Sequence, residues 1–191
     1  MELNGIAAAA IVIVRVFNNY GVPVKDLQAA QTQAQSILQD AGVGVRWIAC
    51  GEKHREPGQA PPRCRQSIGA GDLMLRLEAG VSVGPVPDAS MGFSFVSGTA
   101  SYLPFLATVF ADRVTATARQ VGAEPRQLLA RAIAHELGHL LLNSTKHAER
   151  GLMRSTWSPV ELRRNVEADW IFLDREAASI RAASVSRMSG N

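Results

Sequence analysis

Several things are missing from this chain of 191 residues, and each absence narrows what it can be. Its longest apolar stretch near the start, Ile6 to Val14, is too short to span a bilayer and is stopped by Arg15. The same stretch lacks the charged leader and small-residue cleavage site of a secretory signal, so residues 1–9 read as a plain leader to a first strand. No internal repeat or biased tract is present, and no Pro/Gly-rich linker divides the sequence, so it reads as a single domain over 1–191. No strong charge of either sign exists: the net charge is +3, and the small basic groups at Arg63–Arg65 and Arg163–Arg164 are not interleaved with aromatics. That argues against a nucleic-acid surface. Oligomeric state leaves no mark on the sequence.

Cysteine is scarce too. Cys50 and Cys64 are the only two, with no CxxC or Cys/His metal spacing. They flank a loop rich in glycine, proline and charge, which suits a disulfide stapling an exposed loop over 51–71 better than it suits a metal site. The other reading is two unrelated thiols. A disulfide would place the protein outside the reducing cytosol.

What is present is a soluble composition, 47% hydrophobic and 19% charged, with clear periodicity. Ile11 to Phe17 is a β-branched strand, Val24 to Asp40 an amphipathic helix, and Val43, Val45 and Trp47 the alternation of a second strand. Strand, helix, strand implies a parallel crossover. Leu73 to Leu77 gives a third strand, Gly92-Phe93-Ser94-Phe95-Val96 a short one with a wet face, and Phe105 to Phe110 a fifth. Helices are expected over Ala111–Gln120, Arg126–Leu142, from Pro159 to about Val166 behind Ser158, and from a cap at Asp174 to about Ala183, followed by a polar tail over 184–191.

The helix over Arg126–Leu142 carries H-E-x-x-H as His135-Glu136-Leu137-Gly138-His139, and three of the chain's four histidines fall between 135 and 147. Four residues apart on a helix, His135 and His139 leave one face and can reach one metal ion. Glu136 projects beside that ion, where a general base for an activated water belongs. Catalytic zinc takes three protein ligands and keeps a fourth position open. The third cannot continue along the helix, because eight more residues would carry it about 12 Å along the axis. Asn143 tolerates the left-handed conformation that ends helices, and a turn there would bring His147 back to the metal. With zinc bound, a water would ionise near pH 7 and Glu136 would move its proton to the leaving amine. A leucine-rich side of this helix is expected to face the core, with the histidines looking into a cleft. His54, without a partner pattern, reads as a surface residue.

H-E-L-G-H, a later histidine and then Gly151-Leu152-Met153 resemble the metzincin clan of zinc peptidases, matrixins in particular. More narrowly, H-E-L-G-H-L-L-L, His147 and G-L-M-R, preceded by A-T-V-F-x-D-R-V, resemble a family of uncharacterised bacterial metallopeptidases over most of the chain. The resemblance implies an α+β, α/β-like fold: a mixed, mostly parallel five-stranded sheet with an antiparallel edge strand, the active-site helix packed on it, and C-terminal helices. It implies one catalytic zinc on His135, His139 and His147, Glu136 as base, and Met153 in a turn beneath the metal. Gly92 to Val96 becomes the edge strand that an extended peptide substrate would join. The chain departs from the clan in two places: His147 comes two residues late, with Thr145 at the standard position, and Leu142 and Asn143 stand where a glycine is expected. Asp112, Glu149 and Glu161 are the acidic alternatives for the third ligand. The expected function is a zinc endopeptidase; the alternatives are a zinc amide hydrolase acting on other substrates and a silent peptide-binding module.

Overall fold

A computed structural model describes residues 10–52, 61–80, 90–96 and 105–189. The leader over 1–9, His54 and part of the loop over 51–71 lie outside them. The element order is β1 (Ala10–Asn18), α1 (Val24–Asp40), β2 (Val43–Glu52), β3 (Asp72–Glu78), β4 (Gly92–Ser94), β5 (Leu106–Phe110), α2 (Ala111–Val121), α3 (Pro125–Leu142), α4 (Pro159–Arg164) and α5 (Asp174–Ser189). Two single turns of 3-10 helix, Pro62–Arg65 and Glu167–Trp170, were not anticipated.

The five strands form one sheet in the order β2-β1-β3-β5-β4. β1, β2, β3 and β5 run parallel, and β4 alone is antiparallel, on the outer edge beside β5. Val12, Val14 and Val16 of β1 alternate with Ile11, Ile13, Arg15 and Phe17, so the β-branched run buries one continuous stripe. That stripe, with Leu73, Leu75, Leu77 and Val109, forms one core cluster with Ala30, Ala34 and Leu38 of α1 and the length of α3. The alanines on α1 are what let it lie close to α3, against which it packs.

α3 departs from the expected amphipathic helix. Every residue from Leu128 to Leu141 is buried, the histidines and Arg131 included. α1, α2, α5 and the strands β3, β4 and β5 all touch it, so it is covered on most of its sides. It is the axis of the domain.

The other face of β1 solves a different problem. Arg15 interrupts an apolar run and is 2% exposed, a cost met by Asp72 at the start of β3, with which it forms a buried ion pair. Arg15 also donates to the Gln66 and Ser67 carbonyls, and Arg63 donates to Asp72 Oδ1 at 2.7 Å. A disulfide joins Cys50 at the end of β2 to Cys64 in the 3-10 turn, with Cα atoms 5.3 Å apart. The expected exposed loop is thus, from 61 onward, a half-buried strap tied down by charge and sulfur.

The tail expected over 184–191 is corrected: α5 continues to Ser189. Ser184 and Arg187 are buried, and Arg187 donates to the Leu140 carbonyl at 3.0 Å, so the last turns are anchored to α3. Asp174 is the first residue of this helix rather than its cap. Among the described residues no helix is long and apolar enough to cross a membrane.

Candidate metal centre

α3 begins with Pro125 in its first turn, where a missing N–H costs nothing, and ends at Asn143 with φ 46° and ψ 45°. Asn is among the few side-chain-bearing residues that take this conformation readily. The chain therefore reverses at once: Ser144 N–H donates to the His139 carbonyl at 3.2 Å. His147 follows three residues later, on the same side as the two helical histidines.

The three imidazoles converge. His139 lies edge-on to His135 with ring centres 4.7 Å apart, and the His147 ring is 4.8 Å from that of His139 and 5.4 Å from that of His135. One ligating atom from each lies within 4.8 Å of the others. Among the described residues this is the grouping of His, Cys, Asp or Glu suited to a metal ion. Of the acidic alternatives, Asp112 accepts from the Gly80 N–H at 2.8 Å, and Glu161 is paired with Arg154 and caps α4.

Hydrogen bonding on the far side of each ring fixes what the centre can hold. His135 Nδ1 lies 2.9 Å from the Leu152 carbonyl, and His139 Nδ1 lies 2.7 Å from the Ser144 carbonyl. A carbonyl only accepts, so both Nδ1 atoms carry the proton. Both Nε2 atoms then present lone pairs, and they face one another at 3.1 Å. Burial, the neighbouring imidazoles opposing a second charge, pushes His135 down to about 3, against the pull of the Leu152 carbonyl. Burial also lowers His139 and His147. Two lone pairs set face to face are the arrangement that a bound cation would satisfy. Nitrogens bound tetrahedrally to zinc at about 2.0–2.1 Å sit about 3.3 Å apart, so the donor set fits such an ion.

A turn beneath the helix supports these contacts. Gly151, at φ +78°, lets the chain fold tightly under α3; a Cβ there would also stand 2.8 Å from the Ile171 carbonyl. Leu152 N–H donates to that carbonyl at 2.8 Å, which aims the Leu152 carbonyl at His135. Met153 is wholly buried, its sulfur against Gly138, where a Cβ would meet Met153 Sδ at 2.8 Å and Phe172 Cε1 at 2.6 Å. Arg154 ties the turn to the rest: it donates to the Gly151 carbonyl at 3.0 Å and the Asp169 carbonyl at 3.3 Å, and pairs with Glu161. Trp157 stands edge-on to His135 at 5.5 Å and donates to Leu152 O at 3.3 Å.

Glu136 points to the sheet edge. Its side chain is buried against β4: Ser94 Oγ is 2.8 Å from Oε2, and a Cβ on Gly92 would fall 2.8 Å from Oε1. Burial pushes the Glu136 carboxyl up to about 8, while the Ser94 hydroxyl works against that by donating to it. The short strand pairs Gly92 with Val109, Phe93 with Thr108 and Ser94 with Ala107. Phe95 adds a hydrogen bond from its N–H to Leu106 O at 3.0 Å but lies outside β4, and so does Val96. The Met91 carbonyl and Phe95 N–H turn toward β5, so by alternation the backbone groups of Gly92 and Ser94 turn to the open edge.

Sequence reasoning named His135, Glu136, His139, His147, Met153, Asn143 and Gly92 to Val96; the three imidazoles converge, Asn143 reverses the chain, Met153 lies against Gly138, and Gly92 and Ser94 meet Glu136, while Phe95 and Val96 fall outside the strand. It missed the Leu152 and Ser144 carbonyls, Trp157, the close-packed Gly138, and the contact from Ser94 to Glu136. The glycine between two histidines on a helix was the one available signal, since glycine mid-helix is unfavourable without a packing reason.

No family model matches the sequence, and no curated protein matches it either. In structure it is similar to archaemetzincin from Methanopyrus kandleri, with a TM-score of 0.57 and 17% identity, over 95% of this chain and 98% of that one. At that identity the likeness is one of fold: the chain has the metzincin-like architecture along nearly its whole length.

Proposed function

We propose that the protein is a zinc-dependent endopeptidase. The observation that carries this reading is the pair of Nε2 atoms facing each other at 3.1 Å, with His147 closing the set and the buried Glu136 next to His135 on the same helix. His135, His139 and His147 hold the ion, and each helical imidazole is oriented by a backbone carbonyl behind it. Bound zinc brings a water's pKa toward about 7 and polarises a carbonyl.

The chain's own residues do the rest. Glu136 takes the proton from the attacking water and passes it to the leaving nitrogen. Burial suits it to that task, because a carboxylate short of water holds a proton more readily. β4 offers Gly92 and Ser94 backbone groups at an open edge, so an extended peptide adds as a further strand with its scissile bond carried past Glu136. Met153 fills the space under Gly138 and supports the helix that carries the two histidines. The fold shared with archaemetzincin agrees with this reading, and the Cys50–Cys64 disulfide supports a location outside the reducing cytosol.

The test pairs metal content with cleavage of a mixed peptide library. We expect about one zinc per chain in wild type and in Glu136→Ala, with cleavage by wild type alone, abolished by chelation. Zinc in both and cleavage in neither would favour a silent peptide-binding module; cleavage of small amides without peptides would favour a different amide hydrolase. His147→Ala is expected to lose zinc affinity strongly and Thr145→Ala to keep it.

A further inference from the structure

We propose that Ser94 is the positioning residue for Glu136, its one hydroxyl set against both the carboxyl and the main chain of that residue. This rests on the peptidase reading above. Ser94 Oγ lies 2.8 Å from Glu136 Oε2 and also 2.8 Å from the main-chain oxygen of Glu136. A hydroxyl has one proton and two lone pairs, so it donates to one of those oxygens at a time.

The charged carboxylate oxygen is the better acceptor, so Ser94 donates to Oε2 and fixes the side chain of Glu136, with the Glu136 main-chain oxygen beside it as a second acceptor. That main-chain oxygen has two lone pairs and can take a second donor beside its helical one. Ser94 thereby ties the edge strand both to the carboxylate and to the helix turn that carries it.

Nothing else among the described residues does this. Oε1 faces Gly92, which has no side chain, and among the described residues no cationic side chain is paired with Glu136. Ser94 also belongs to the strand whose open edge would bind the substrate. A peptide that orders β4 therefore orders the group that aims the base. Gly92 and Ser94, two residues apart, share one face of β4, and that face meets Glu136.

The experiment compares Ser94→Ala and Ser94→Thr with wild type, each zinc-loaded and matched for thermal midpoint. On a peptide that wild type cleaves, Ser94→Ala is expected to lower kcat about ten- to a hundredfold, the range for a lost hydrogen bond to a charged group, with KM within about twofold. Ser94→Thr, which keeps the hydroxyl, retains most of kcat. A second readout needs no turnover: carbon-13 NMR of the glutamate carboxyls, with Glu136 assigned by its absence in Glu136→Gln. Its signal should move in Ser94→Ala and stay in Ser94→Thr. Unchanged kcat in Ser94→Ala, a loss confined to KM, or an unmoved Glu136 signal would overturn the assignment. Failure of wild type and Glu136→Ala alike to cleave any peptide would instead remove the peptidase reading, and the NMR comparison would still decide whether Ser94 holds Glu136.

Discussion

Gly138→Ala sets two physical effects of opposite sign against each other at the centre of the site. In an open helix the change stabilises, since alanine exceeds glycine in helix propensity by about 1 kcal/mol. At this position the new methyl would stand 2.6 Å from Phe172 Cε1 and 2.8 Å from Met153 Sδ. Phe172 is 5% exposed and Met153 0%, so neither can swing into solvent to make room. Overpacking of this kind costs about 1–3 kcal/mol, and two contacts this short argue for the upper half of that range. The net expectation is destabilisation by about 1–2 kcal/mol, a fall in melting temperature of several degrees at about 2–4 °C per kcal/mol for a chain of this size. Because Gly138 precedes His139 and rests on the turn whose Leu152 carbonyl orients His135, zinc affinity should fall as well. Thermal unfolding followed by circular dichroism, with and without a chelator, measures both. Gly71→Ala is the control: nothing stands within 4 Å of a Cβ there and it should stay within about 0.5 kcal/mol of wild type. A melting temperature for Gly138→Ala above that of wild type would show that propensity wins and that Met153 and Phe172 are not packed as described.

Two further perturbations test the strap opposite the site. Asp72→Ala strands Arg15, which is 2% exposed, and should cost about 3–5 kcal/mol in urea unfolding; a loss under 1 kcal/mol would mean that the Gln66 and Ser67 carbonyls alone satisfy Arg15. Burial raises the Asp72 carboxyl but its bonds from Arg63, Gly69 and Arg15 outweigh that, so its folded pKa is lowered. The stabilisation is therefore complete above the ordinary carboxylate range and drains away as pH falls from about 4 toward the lowered value, an acid limb that Asp72→Asn should flatten. Replacing Cys50 and Cys64 by serine opens a loop of sequence separation 14 and should cost about 3 kcal/mol, read as a shift in urea midpoint that reductant reproduces in wild type.

The parallel half of the fold was legible because its elements are long and their periods unmixed. β-branched residues over 11–17, a 17-residue helix ending at Asp40 and the alternation from Val43 can be arranged only as a parallel crossover. The environment of α3 was not legible. Its alanines and leucines occur on every side, which a search for one apolar stripe reads as a weakly amphipathic helix, and only the number of elements meeting it shows that it is buried all round. The end of α5 escaped for the converse reason. Ser184, Arg187 and Ser189 are polar letters that signal a solvated tail, yet Arg187 reaches the Leu140 carbonyl and Ser184 bonds within its own helix at Ile180 O. Polarity in sequence records what a side chain can bond to, not whether its partner is water.

The same distinction governs the site. H-E-x-x-H is visible because helix geometry alone places its members, whereas the groups that aim the histidines are backbone carbonyls of Leu152 and Ser144, which any residue could supply. A carbonyl is specified by the turn that holds it, so the readable letters are those that permit the turn: Asn143 at φ 46° and Gly151 at φ +78°. Seen this way, the two extra residues before His147 are less of a departure than counting suggests. A metzincin-type glycine and Asn143 both serve to reverse the chain, and with Asn143 reversing it immediately after α3, the Ser144 carbonyl takes His139 on the way back. For His147 as the proposed third ligand, the point of reversal at Asn143 matters more than the count of residues after it.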